Sequence, residues 1–243
     1  MKKENPQDYL ALALDNVKDT EHLQRIVSQT KDYFNTYKIG LELFTKYGPD
    51  ILNCIRSENR NIFLDLKFHD IPNTVAQAIY SAAQLNVSLC TLHTQGGTAM
   101  MQAAAAAAEK AQEDGFSVPK LIGVTVLTSI DTTSLNNDLN VQVPIGSYIR
   151  HLASLAIFSG LNGIVCSAKD LITVKDILPE TFEVITPGIR SSGAASHDQK
   201  RIATPAEAIT HGATLLVIGR EVTLAKDPQT AAKNICSEVA AAL

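Results

Sequence analysis

The sequence predicts an α/β protein, a (β/α)8 TIM barrel folded as a single domain over residues 1–243, and three observations predict it. Eight short β-rich runs recur along the chain, with helix-like segments between them. Most of these runs are almost continuously apolar, as strands buried on both faces of a parallel sheet are. The length of 243 residues suits the roughly 250 typical of such a barrel. A doubly wound open sheet is the competing architecture, and it would more often carry a Gly-rich phosphate turn after its first strand. Here the first strand ends in "LALALDNVKD", which contains no glycine.

The elements follow in order. "YLALAL" (9–14) is the first strand, and "TEHLQRIVSQTKDYF" (20–34) then places apolar residues at helical spacing. "YKIGLEL" (37–43) and "NIFLDLK" (61–67) are the second and third strands. Pro72 suits the first turn of a helix, so "IPNTVAQAI" starts one. "VSLCTLH" (87–93) is the fourth strand, and "TAMMQAAAAAAEKAQ" after it is built from the strongest helix former. "KLIGVTVLT" (120–128) is the fifth strand. The polar stretch "SIDTTSLNNDLNVQVP" (129–144) then fits either a cover over the site or a short helix. "SYIRHLASLAIFSG" is a helix with a glycine stop. "NGIVCS" (162–167), "FEVITPG" (182–188) and "TLLVIGR" (214–220) complete the strands, and "AAKNICSEVAAAL" closes the chain as a helix.

Composition narrows the function classes. With 45% hydrophobic and 19% charged residues the chain has ample core material. A net charge of −4 without a basic stripe argues against a nucleic-acid partner. No apolar run approaches the roughly 18 residues of a membrane span. The start, "MKKENPQDYLALALDN", carries no small-residue cleavage site, so no signal peptide is expected and a cytoplasmic location is. Cys54, Cys90, Cys166 and Cys236 are scattered, form no CxxC pair and read as lone thiols.

A barrel places functional residues at the C-terminal ends of its strands. Asp15, Asp65, Lys67, His93, Thr128, Arg190, Gly219 and Arg220 fall at or just after such ends, while Lys38 falls near the start of its run. Asp65 and Lys67 are two apart, which on a regular strand turns both toward the barrel interior. An isolated buried carboxylate would take up a proton, but alternating acids and ammonium groups hold one another ionised. Three readings of this cluster compete. It is a structural ion network, a metal site using Asp65, His69 and Asp70, or a proton-transfer site with an ammonium group between carboxylates.

"DLKFHDIPNT" (65–74) resembles the signature of bacterial orotidine 5′-phosphate decarboxylases. The resemblance extends to "LALALDN", "YKIGLELF", "TLHTQGG", "GVTVLTS", "VITPGIR", "DQKRIATPAEAI" and "LLVIGREV", in order along nearly the whole chain. It implies a homodimer that converts orotidine 5′-monophosphate to UMP and CO2 without metal or organic cofactor. By position it makes Lys38, Asp65, Lys67 and Asp70 the charged array, with Lys67 protonating C6 and Asp65 beside the departing carboxylate. Asp70, with Ile71 and Thr74 near it, would reach the neighbouring subunit's site. Asp15 and Lys38 would bind ribose, Thr128 the pyrimidine, and Arg190, Gln199, Gly219 and Arg220 the phosphate. The small, polar segment 191–201 is expected to act as a lid. His69 is expected to be structural and His93 an interior hydrogen-bonding residue, with Gly96 and Gly97 in a turn. Two rivals share parts of this pattern. One is the Mg2+-dependent sugar-phosphate decarboxylases with an Asp-x-Lys-x-x-Asp core; the other is a phosphate-binding barrel without catalysis.

Overall fold

A computed structural model describes residues 3–191 and 203–243. Strands apolar on both faces need partners on both edges and cover on both faces, and closing the sheet provides this. β1 (Leu10–Ala13), β2 (Thr36–Gly40), β3 (Asn61–Phe68), β4 (Leu89–His93), β5 (Lys120–Val124), β6 (Gly163–Val165), β7 (Glu183–Thr186) and β8 (Leu215–Ile218) pair in parallel in chain order. β8 returns to β1, so the barrel is closed, as the sequence predicts.

The helices cover its outside. They are α1 (Thr20–Thr30), α2 (Leu41–Tyr47), α3 (Asn53–Arg56), α4 (Pro72–Gln84), α5 (Gly97–Glu113), α6 (Thr132–Asn137), α7 (Ile145–Phe158), α8 (Ala168–Leu171), α9 (Pro205–Thr210), α10 (Arg220–Thr223) and α11 (Pro228–Ala242). Local chemistry sets their starts. Asp19 accepts the His22 N–H at 2.7 Å, Thr204 and Glu207 form a capping box, and Pro72 occupies the first turn of α4. The large core lies between helices and strands, while Ala11, Phe63, Leu89, Ile122, Ile185 and Leu215 form a second, smaller cluster. Each buried Leu, Ile or Phe contributes about 1.5–3 kcal/mol.

Three expectations need correction. The second strand stops at Gly40 rather than residue 43, and the apolar residues Leu41 and Leu43 belong to α2. Lys38 therefore sits well inside β2, opposite Ala13 and Phe63, and not at a strand start. β5 stops at Val124, so Thr128 lies in the following turn rather than at the strand end. β3 is not regular: Leu64 pairs with Cys90 but Phe68 with Leu92, so β3 bulges between them. The connection 129–144 contains α6, capped by Asp131 on the Ser134 N–H at 2.9 Å. Among the described residues no helix is long and apolar enough to cross a membrane.

Candidate active site

A cavity of about 430 Å3 opens at the C-terminal mouth of the barrel. Asp15, Lys38, Asp65 and Lys67 all line it, supplied by β2, β3 and the loop after β1. Their charges alternate in space. Lys38 Nζ lies 3.3 Å from Asp15 Oδ2 and 3.3 Å from Asp65 Oδ2, and Lys67 Nζ lies 2.8 Å from Asp65 Oδ1. Gly40 leaves room for the first pair, since a Cβ there would stand 3.1 Å from Asp15 Oδ1 and 3.2 Å from Lys38 Nζ. The side chains of Lys38 and Asp65 are each only 10% exposed, against 29% for Lys67 and 44% for Asp15.

Burial alone would drive the two inner groups toward neutrality. It pushes Lys38 down, yet the carboxylates of Asp65 and Asp15 outweigh it and the net shift is up. It pushes Asp65 up, yet Lys38, Lys67 and the hydrogen bonds to Lys67 and Thr91 bring it below its ordinary value. Both groups are thus held ionised with little water around them. Such a fixed charge pattern acts strongly on any charge that develops in the cavity.

The bulge in β3 is what aims Lys67. Its backbone is left-handed, with φ at 51°, a region non-glycine residues seldom occupy. Its N–H leaves the strand ladder and is donated to Thr91 Oγ1 at 2.9 Å. Thr91, fully buried on β4, is a site residue that sequence reasoning missed. A threonine in a strand is too ordinary to mark it; its spacing of two from His93, on the same strand face, was the available signal.

Asp70, Ile71 and Thr74 are not drawn into this cavity. All three are exposed, Ile71 at 66%, and Asp70 Oδ1 accepts the Ile71 N–H at 2.6 Å. Among the described residues no group of three or more His, Cys, Asp or Glu is placed to hold a metal, so Asp65, His69 and Asp70 do not form the ligand set considered above. His93 does not meet its expected hydrogen-bonding role at Nδ1, which is buried without a partner. Its ring instead packs 5.3 Å from that of the exposed His69. Burial, with the His69 and Lys67 charges, lowers His93 to about 4. Gly96 ends the short turn before α5, as expected, while Gly97, with φ at 81°, is the first residue of that helix.

The far side of the cavity is built for an anion. Thr128, Arg190, Gly219 and Arg220 line it together with Pro187 and Gly188. Arg190 is only 6% exposed. Burial lowers its pKa, Glu221 opposes that shift, and the like charge of Arg220 adds to it. Glu221 accepts the Ser191 N–H at 3.2 Å. Between the two charged ends run apolar walls of Val126, Leu127, Val165, Ile185 and Val217, also missed from sequence. Gln199 and the rest of residues 192–201 of the expected lid segment lie outside the described residues. Cys166 borders the cavity as a free thiol.

Residues 8–235 match the family described as "Orotidine 5'-phosphate decarboxylase / HUMPS family". The orotidine 5'-phosphate decarboxylase of Prochlorococcus marinus (strain NATL2A) is 42% identical over 97% of this chain and 98% of its own length. That of Moorella thermoacetica is 39% identical over 96% of this chain and 92% of its own. Among solved structures, orotidine 5'-phosphate decarboxylase from Lactobacillus acidophilus superposes with a TM-score of 0.82 and 36% identity, covering 95% of this chain and 98% of that one.

Proposed function

The chain belongs to the orotidine 5′-phosphate decarboxylase family and decarboxylates orotidine 5′-monophosphate to UMP and CO2 in pyrimidine biosynthesis; we propose that a charged array of Lys38, Asp65, Lys67 and Asp70 performs the step without metal or organic cofactor. The observation that carries this is the buried Asp65 carboxylate, held between two ammonium groups on the same cavity as Arg190 and Arg220.

The bond from C6 to the carboxylate breaks, CO2 leaves, and the electron pair stays on C6. Lys67 Nζ gives its proton to that carbon and regains one from solvent. Asp65 stands beside the carboxylate and disfavours it relative to a transition state in which that charge is dispersing. Lys38 holds Asp65 ionised and, with Asp15, takes the ribose hydroxyls. Thr128 meets the pyrimidine. Arg190, Gln199, Gly219 and Arg220 take the phosphate, where the guanidinium groups offer charge-assisted forks. The phosphate takes no part in bond breaking, so its binding energy serves to hold the ring in place.

The whole barrel works as one catalytic domain in a cytoplasmic homodimer. Asp70, with Ile71 and Thr74, completes the neighbouring subunit's site, and the exposure of all three supports this. The test is loss of orotate-ring absorbance with excess chelator present. Turnover that persists with chelator and disappears in Lys67→Ala supports the reading. Turnover that requires Mg2+, or that Lys67→Ala retains, overturns it.

A further inference from the structure

We propose that Thr91 is a positioning residue for the decarboxylation, its hydroxyl joining the backbone of Lys67 to the carboxylate of Asp65 and thereby fixing the proton-donating ammonium group. The proposal rests on the functional reading given above.

The hydroxyl has two partners with opposite demands. The Lys67 N–H can only donate, so Thr91 Oγ1 accepts from it at 2.9 Å. The Asp65 carboxylate can only accept while ionised, so Thr91 Oγ1 donates to its Oδ1 at 2.9 Å. The orientation of the hydroxyl is therefore set, with no freedom to exchange the two roles. Thr91 is fully buried, so no water competes for either bond.

Both partners need the help. Lys67 holds φ at 51° inside a bulge, a strained conformation that persists only where the surroundings enforce it. Without Thr91 the Lys67 N–H would lose its side-chain partner. Asp65 Oδ1 also receives Lys67 Nζ at 2.8 Å, so one oxygen, one hydroxyl and both ends of one lysine form a closed loop. The Thr91 hydrogen bond also contributes to holding Asp65 below its ordinary pKa. β4 thus positions a catalytic group that belongs to β3.

The test compares Thr91→Val, which keeps the shape and removes the hydroxyl, with Thr91→Ser, which keeps the hydroxyl. Thr91→Val is expected to lower kcat roughly 10–100-fold while KM changes less than about threefold. Thr91→Ser is expected to stay within about fivefold of the parent. Crystals of the valine variant should show Lys67 Nζ moved out of hydrogen-bond reach of Asp65 Oδ1, or Lys67 released from the left-handed region. Thr91→Ala replaces the valine variant if that does not fold. Equal losses in valine and serine variants, a change confined to KM, or an unmoved Lys67 in the crystal would overturn the proposal. If the parent protein itself shows no turnover, the functional reading fails instead, and the crystallographic comparison alone decides the role of Thr91.

Discussion

At the mouth of the barrel two carboxylates alternate with two ammonium groups; at the opposite end one carboxylate, Glu183, meets two ammonium groups, Lys3 and Lys120. Lys120 Nζ lies 2.7 Å from Glu183 Oε1, Lys3 Nζ lies 3.5 Å from Oε2, and Thr214 Oγ1 donates to Oε2 at 2.6 Å. Burial works against both clusters, and the stoichiometry decides how each responds. At the mouth, Lys38 is raised and Asp65 lowered, so both buried partners stay charged. At the lower end Glu183 is lowered to about 2 although burial opposes it, because Lys3 and Lys120 attract it and Thr214 and Lys120 bond to it. Lys3 ends below its ordinary value, since burial exceeds the pull of Glu183 and Lys120 repels it. Glu183 is held ionised between two lysines, but its pull on Lys3 does not cancel the effect of burial there. The lower cluster ties the chain's start to β5 and β7.

The largest separation between the two ends is expected from Lys67→Ala. It removes the proposed proton donor yet leaves Asp65 bonded to Lys38 and Thr91, so the fold should survive. Decarboxylation should fall at least about 1,000-fold, with the melting temperature nearly unchanged. Steady-state kinetics and calorimetry on the same preparation check both halves. A large loss of stability with modest loss of rate would make the mouth cluster a staple like the lower one.

A second expectation concerns Asp70, whose side chain stands away from its own cavity. Lys67→Ala and Asp70→Ala subunits, each inactive, are mixed and allowed to exchange. Random pairing makes half the dimers mixed, and each mixed dimer holds one intact site. Recovery should approach about a quarter of parental activity. No recovery after demonstrated exchange would confine the mouth array to a single chain.

At the lower end Glu183→Gln should reverse the pattern. It leaves two ammonium groups facing a neutral amide, and removing one partner of a buried pair is destabilising. A loss of about 2 kcal/mol is expected, lowering the melting temperature by roughly 4–8 °C. The kcat should stay within about twofold, because the site lies at the other end of the barrel. A kcat that fell with stability would mean that the two ends are coupled.

How much of this was legible in the sequence differs between the ends and between residues. The barrel was legible because strands buried on both faces leave unbroken apolar runs. The mouth cluster was legible as charges at the ends of such runs. The limit of β2 was not, because Leu41 and Leu43 continue the apolar pattern of the strand into α2 without a polar break. Nor was the bulge, since Asp65, Leu66 and Lys67 read as ordinary alternation while Lys67 is in fact left-handed. Thr91 acts through a partner 24 residues earlier in the chain, and only the pairing of β3 with β4 brings the two together. The lower cluster was invisible for the same reason, because Lys3, Lys120 and Glu183 meet only when the barrel closes.

The smallest effect is expected from Lys120→Met, and it tests the stoichiometric argument most directly. The Lys120 side chain is 48% exposed, so its attraction to Glu183 is screened and is worth no more than about 1 kcal/mol. Removing it also relieves Lys3 of a like charge, which offsets part of that loss. Glu183 lies at about 2 in the folded protein against an ordinary 4.5, so its stabilisation is complete above about 4.5 and disappears as the pH falls toward 2. Without Lys120 the folded value rises toward the ordinary one, and the stability that Glu183 adds at neutral pH shrinks. Melting curves at pH 7 should therefore show a loss well below that of Glu183→Gln, and the parent and Lys120→Met should converge as the pH approaches 2. If Lys120→Met costs as much as Glu183→Gln at pH 7, Glu183 depends on Lys120 alone, Lys3 contributes nothing to holding it, and the contrast between a balanced and an over-supplied cluster disappears.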